Sequence, residues 1–262
     1  MKKNFISILI TNYNKAQFLK SSLNSVFNQN FKNYEIILYD DCSNDSSIKI
    51  INNFKKIKLI RNLKRNNKNS SPLNQITGIL QAFKKCKGNI ICLMDADDSF
   101  VKNKLSIINK IFEINKSFNC VFNIPKNNQN QFKFKNKRNN ISIWPTIFPT
   151  SCISFRRNFF KKFIQYSKKN KLPNLEIDAR ITIFSKFFVN EYNIINKKLT
   201  FYDYDHKGIT ANIKKFSKFW WIRRREAYIY LKYIMKKKKV PFKASLDYYT
   251  TSVLSCVYKF TS

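Results

Sequence analysis

Glycine is nearly missing from this chain: among 262 residues only Gly78, Gly88 and Gly208 occur. A backbone that wraps a phosphate needs conformations and close approaches that a Cβ forbids. Neither a G-x-G-x-x-G dinucleotide fingerprint nor a G-x-x-x-x-G-K phosphate loop can be assembled from three scattered glycines. Where sugar nucleotidyltransferases carry a glycine-rich loop after their first strand, this chain has Thr11-Asn12-Tyr13-Asn14. Charge on a bound nucleotide would therefore fall to a metal ion and to cationic side chains. Histidine is rarer still, with His206 alone. The six cysteines form no C-x-x-C pair, which argues against structural zinc. Cys92, Cys120 and Cys152 lie in apolar runs and read as buried free thiols of a reducing compartment.

Long apolar runs are lacking too. Phe5 to Ile10 gives way at once to Thr11-Asn12, too short for a signal peptide or a membrane span, and no later stretch reaches membrane length. The expected location is cytoplasmic, or peripheral on the cytoplasmic face of a membrane. Acids are scarce: 15 Asp and Glu stand against 50 Lys and Arg, a formal charge of +35. Such a balance attracts anions, whether nucleic acid, anionic lipid or phosphorylated substrates. Heavy use of Lys, Asn, Ile and Phe also fits an AT-rich genome, so composition alone could account for much of the charge.

What is present is globular: 44% apolar residues with 16% aromatics, in a chain long enough to bury a full core. The first third alternates strand and helix signals. Strands are expected at Phe5–Ile10, Tyr34–Tyr39, Ile57–Ile60 and Asn89–Met94. Helices are expected through Leu19, Leu23, Val26 and Phe27, over Asp45–Lys55, and through Ile76, Ile79, Leu80 and Phe83 with Gly88 as the stop. A helix over about Lys102–Asn115 and a strand over Asn119–Asn123 follow. Strands alternating with helices imply parallel pairing and right-handed crossovers. Residues 125–140 are rich in Asn, Lys and Gln and read as an excursion. Beyond it come a strand near Thr150–Phe155, helices from about Asn158 and over Leu175–Phe188, a strand at Leu199–Tyr204, and two helices from about Lys214. The resulting division is a binding half over 1–123, a second half of the same domain over 124–211, and a basic, aromatic helical extension over 212–262.

Two of the strands end in acids although acids are scarce: Asp40-Asp41, and Asp95, Asp97 and Asp98. In an open α/β sheet, ligands sit beyond the carboxyl ends of the strands, so both clusters should face one crevice. In extended backbone, i and i+2 project to one side, so Asp95 and Asp97 can point together. Their hard oxygens suit Mg²⁺ or Mn²⁺, which bridges to phosphate oxygens. Helix capping accounts for Asp45 or Ser99, but not for three acids within four residues.

These residues carry a resemblance. Ile6 through Asn14, Ser25 through Gln29, Tyr34 through Asp45 and Gly88 through Asp98 are, in order and spacing, similar to glycosyltransferase family 2 over roughly the first 120 residues. The resemblance implies the GT-A fold, a Rossmann-like, mostly parallel sheet flanked by helices. It also implies a non-processive, hexosyl-type transfer with inversion, from a nucleotide sugar (a UDP-sugar foremost) to a hydroxyl of a glycan or lipid-linked acceptor in cell-surface polysaccharide synthesis. On this resemblance Thr11, Tyr13 and Asp40 hold base and ribose, and Asp41 anchors the loop. Asp95 and Asp97 are the D-x-D pair, with Asp97 the metal ligand and Asp95 on the nucleotide side, and Asp98 shapes the sugar pocket. Pro149 through Arg156 resembles the acceptor-side loop, with Cys152 where a glycine is usual. Leu175-Glu176-Ile177-Asp178 resembles the motif that supplies the general base. Asp178 is the expected base and Glu176 a neighbour in the acceptor pocket, because i and i+2 on a helix do not share a face. His206 resembles the histidine that reaches metal or diphosphate in some GT-A enzymes. The Q-x-x-R-W motif of processive synthases is absent.

Two rival readings are a basic nucleic-acid-binding protein and an inactive glycosyltransferase-like binding module. No recognised motif supports the first, so no specific nucleic-acid partner is expected, and retention of Asp97 and Asp178 argues against the second. Phe216, Phe219 and Trp220 beside Arg223–Arg225, followed by Lys236–Lys239, suggest attachment to an anionic membrane surface.

Overall fold

The computed structural model describes residues 4–65, 70–126, 143–167, 172–202 and 213–260, the last two without their side chains. Eight strands form one sheet: β1 (Ile6–Asn12), β2 (Tyr34–Asp40), β3 (Ile57–Arg61), β4 (Ile90–Asp95), β5 (Ser99–Phe100), β6 (Cys120–Lys126), β7 (Ile153–Arg156) and β8 (Asn193–Phe201). The helices are α1 (Ala16–Phe27), α2 (Ser47–Asn52), α3 (Ser71–Lys85), α4 (Lys104–Ile114), α5 (Arg157–Ser167), α6 (Ile177–Ile183), α7 (Lys218–Lys238) and α8 (Leu246–Phe260). Strand order is β3-β2-β1-β4-β7-β6-β8-β5.

The period-2 alternation of the strands sorts the core into two layers. Ile6, Ile8 and Ile10 of β1 pack with Leu19, Leu23 and Val26 of α1 and Leu105, Ile108 and Phe112 of α4. Leu9, with Ile37 of β2 and Ile91 and Leu93 of β4, faces the other way, onto Ile79, Ala82 and Phe83 of α3 and the phenylalanine cluster of α5. The parallel register of β1 with β2 and β4 sets Asn12 beside Asp40 and Thr11 beside Asp95. One sheet end thus collects both acidic clusters.

Several expectations need correction. Parallel pairing holds for β3-β2-β1-β4 and for β6 with β8, but β7 runs antiparallel to both β4 and β6, and β5 runs antiparallel to β8. Gly88 is not a left-handed helix stop: no described glycine has positive φ, and α3 ends at extended Cys86. Glycine is required there by proximity, since a Cβ would lie 2.5 Å from both the Ser7 amide nitrogen and the Ser7 Oγ. The expected helix 175–188 begins only at Ile177 and changes to a π-helical turn over Phe184–Val189, closed by Asn190 at φ 65°. β8 starts six residues before the expected Leu199. Most of the 125–140 excursion lies outside the described residues.

The residues from 218 onward are not a loose appendage. Tyr228, Tyr230, Leu231 and Ile234 of α7 belong to the same core layer as Ile177 and Phe184. Arg224 Nη2 lies 2.5 Å from Asp247 Oδ2, and Tyr228 Oη donates to the same carboxylate, so α8 is tied to α7.

Candidate active site

The β1 and β2 ends are interlocked by side chains. Asp40 is fully buried. Its Oδ1 accepts from Asn12 Nδ2 (2.7 Å) and Ser43 Oγ (2.6 Å), and its Oδ2 from the Ser43 amide (3.0 Å). Asp45 caps two helix starts, accepting from the amides of Ala16 and Ser47, both at 2.9 Å. Asp40 thus ties the β1 and β2 ends together through three hydrogen bonds. Asp41 instead accepts from Asn62 Nδ2 (2.9 Å) and Arg65 Nε (2.8 Å). The Arg65 guanidinium lies 3.7 Å from the centre of the half-exposed Tyr13 ring, so a planar cation already stacks on that face.

Asp95 closes β4. Its Oδ1 accepts from Thr11 Oγ1 (3.0 Å) and Gln75 Nε2 (2.7 Å), and its amide donates to Ser151 Oγ (2.9 Å). Burial, then the neighbouring charge of Asp97, pushes the Asp95 carboxyl up to about 7. Asp97 is partly exposed and lies 2.8 Å from Lys15 Nζ. Asp98 is buried. Lys104 is fully buried, and its Nζ donates to the Ser151 carbonyl (2.5 Å) and to Thr200 Oγ1 (2.7 Å) over the Phe100 ring. Burial lowers its ammonium to about 8, with Asp98 among the charges that oppose the shift.

Asp178 sits in the first turn of α6, where its Oδ1 accepts from the Ala179 amide at 2.6 Å. Burial first, and then Glu176, push it up to about 7, while Arg223 and the backbone bonds pull it down. Its field also reaches Asp95. Tyr202, just past β8, is raised by burial and then by Asp98, Asp95, Asp178 and Asp97. Its phenol therefore stands among four acids drawn from both halves of the chain. Glu176 is engaged elsewhere: its carboxylate pairs with Arg223 of α7 at 2.6 Å.

Thr11, Asp95, Asp97, Asp98 and Asp178 are thus gathered at one sheet end, with Tyr13 and Asp41 at its β1–β2 side. His206 lies outside the described residues. Among those described, no three His, Cys, Asp or Glu side chains form a metal cage. The donor chemistry nevertheless fits a hard divalent cation that takes its remaining oxygens from a diphosphate: Asp97 offers a partly exposed carboxylate that already attracts a cation, Lys15. Cys152 fits its loop without strain. It ends a 3₁₀ turn over Thr150–Cys152, is not among the positive-φ residues, and is fully buried. Sequence reasoning missed Lys15, Arg65, Gln75 and Lys104, and it singled out Arg223 only for its charge and Tyr202 only as part of the segment leading to His206. Among 50 Lys and Arg nothing in the sequence marks Lys15, Arg65 or Lys104, and Gln75 matches no motif.

Residues 7–228 match the model of the glycosyl transferase family 2 domain. Among curated relatives, a GalNAc(5)-diNAcBac-PP-undecaprenol β-1,3-glucosyltransferase of Campylobacter jejuni is 27% identical over 180 residues, covering 65% of this chain and 55% of that protein. Other curated relatives are matched over a smaller share of their length, 15%, 41% and 17% for three of them. Among solved structures, S. aureus TarS in complex with UDP superposes with a TM-score of 0.63 at 13% identity, covering 97% of this chain and 70% of that one. The mannosyltransferase PcManGT of Pyrobaculum calidifontis, in complex with GDP-Man and Mn²⁺, gives 0.60 at 12% identity, covering 98% and 70%. The fold is that of GT-A glycosyltransferases.

Proposed function

Since the chain belongs to glycosyl transferase family 2, we propose that it moves a sugar from a nucleotide sugar, a UDP-sugar foremost, to a hydroxyl of a glycan or lipid-linked acceptor, with inversion and with a divalent metal. The observation that carries this reading is the convergence of Asp95 and Asp97 with Asp178, which lies 83 residues beyond Asp95 in the chain yet raises its pKa. This supports a reading in which donor-side and acceptor-side acids face one space. The lipid-linked character of the acceptor draws on the C. jejuni relative's name and the donor on the UDP complex of TarS. The curated relatives extend beyond the matched region, so donor, acceptor and location are proposals for the whole protein.

In this reading Tyr13 presents its ring to the base, and Thr11 and Asp41 serve the nucleoside side. Mg²⁺ or Mn²⁺, held by Asp97 with His206 a further candidate, would supply positive charge to the departing diphosphate. Lys15, 2.8 Å from Asp97, is placed to turn from that carboxylate to a phosphate oxygen. Asp98, buried and within the electrostatic reach of Lys104, shapes the sugar pocket. Asp178 takes the proton of the acceptor hydroxyl as it attacks the anomeric carbon; its apolar surroundings raise its basicity towards that task. Glu176 tunes Asp178 through the ion pair with Arg223 rather than touching the acceptor.

Calorimetry tests the donor half. The protein should bind UDP in the presence of Mn²⁺ and lose the metal-dependent part of that binding in Asp97→Asn. Unchanged metal-dependent binding in the variant refutes the assignment.

A further inference from the structure

Helix α8 buries two hydroxyl side chains and exposes several hydrophobic ones. Thr251 and Ser255 are fully buried, whereas Leu246 is 84% exposed, Tyr249 59%, Val253 61% and Val257 52%. The spacing of three, four and four residues places these side chains on one helix face. Exposed Thr250 and Cys256 lie on the same side, so this face carries no charge in a chain of +35. A surface helix normally turns its apolar stripe to the core. Here packing against α7 is taken up by Tyr248 and by the Asp247 links to Arg224 and Tyr228. The stripe is left outward.

The approach to this face is strongly cationic. The last turn of α7 carries Lys236 and Lys237, and the connection to α8 carries Lys239 and Lys243, with Val240 41% exposed and Pro241 exposed between them. Only two acids lie between 212 and 262, and both are satisfied internally: Asp247 by Arg224, and Glu226 by the Asn174 amide (2.8 Å) and side chain (2.7 Å). Of the groups that the sequence offered for lipid contact, Arg223 pairs with Glu176 and Arg224 with Asp247, whereas Phe216 and Phe219 are 56% and 62% exposed.

We infer that α8 lies on an anionic lipid surface, its Leu246-Tyr249-Val253-Val257 face inserted at the headgroup boundary and the 236–243 lysines on the headgroups. An apolar stripe beside cations is the composition of an interfacial helix. Each lysine near an anionic leaflet adds attraction that salt screens. Charge complementarity favours this occupant over a second copy of the chain, whose equal positive charge would repel. The inference is independent of the donor chemistry, since no residue of the candidate active site takes part.

The test is co-sedimentation of the whole protein with vesicles of phosphatidylcholine alone, or of phosphatidylcholine and phosphatidylglycerol in equal parts. The wild-type protein should sediment with the anionic vesicles only, and less so as salt rises. The double variant Leu246→Asp/Val253→Asp changes only exposed side chains and should melt like the wild type. It should bind anionic vesicles at least about tenfold more weakly, while Asp97→Asn should bind them as the wild type does. Equal recovery on neutral and anionic vesicles, or undiminished binding by the double variant, overturns the inference. So does a wild-type dimer that the double variant makes monomeric without any vesicle binding, because the face would then be an interface between copies.

Discussion

Replacing Asp178 by Asn tests the proposed chemistry most directly, because the variant keeps the shape but cannot accept a proton. A general base contributes typically 10²–10⁴-fold, so at pH 8, where the wild-type carboxyl is mostly ionised, kcat/KM should fall by roughly that factor. With Asp178 pushed up to about 7, each pH step below that value reduces its ionised fraction about tenfold. The sign follows from the base being active only when deprotonated: wild-type kcat/KM rises with pH and levels above about 8. The variant has no such limb. At pH 5 the two profiles should therefore have converged by about a hundredfold relative to pH 8. Glu176→Gln adds a second constraint. It removes a charge that raises Asp178 and leaves Arg223 to lower it, so the acid limb should move to lower pH with kcat little changed. The assay is the initial rate of nucleoside diphosphate release, with the nucleotide sugar that most stabilises the protein in a thermal-shift screen with Mn²⁺. A loss of less than about tenfold in Asp178→Asn, the wild-type acid limb surviving in that variant, or inactivation by Glu176→Gln instead, would refute the assignment.

Three further outcomes are expected. Gly88→Ala sets a Cβ 2.5 Å from the Ser7 backbone nitrogen and should destabilise by about 1–3 kcal/mol in urea melts; unchanged stability would refute the close approach. Asp40→Asn gives up a carboxylate that accepts three hydrogen bonds in a buried site and should destabilise by about 1–3 kcal/mol, while Asp41→Asn should weaken UDP in calorimetry; unchanged UDP binding by Asp41→Asn would refute its proposed role on the nucleoside side. Lys104→Met should lower the melting temperature. Because folding lowers the Lys104 pKa to about 8, the wild-type protein gains stability from this group as pH rises from 8 towards 10, and the difference between wild type and variant should widen over that interval.

Much of this molecule is written locally. The alternation of Ile6, Ile8 and Ile10 with Leu9 fixes a strand buried on both faces, and the helical spacing of Leu19, Leu23 and Val26 fixes the stripe that covers it. Acids at the ends of β2 and β4 must meet once those strands are parallel, so the crevice was legible from order and spacing alone. The partners of these acids were not. Asp40 and Asp41 are adjacent, chemically identical and both buried; only the fold decides that Asp40 takes Ser43 and Asn12 as partners and Asp41 takes Arg65 and Asn62. Asp178 acquires its raised pKa from burial and then from Glu176, opposed by Arg223 of α7, and no local pattern encodes the meeting of residues 176 and 223. Gly88 was visible as a special position, but its reason, the passage of the Ser7 backbone, belongs to the sheet. The same holds for α8. Its periodicity marks an amphipathic helix in the sequence, but which face is buried is set by the Asp247 links to α7, and they turn the hydroxyls inward and the apolar stripe out.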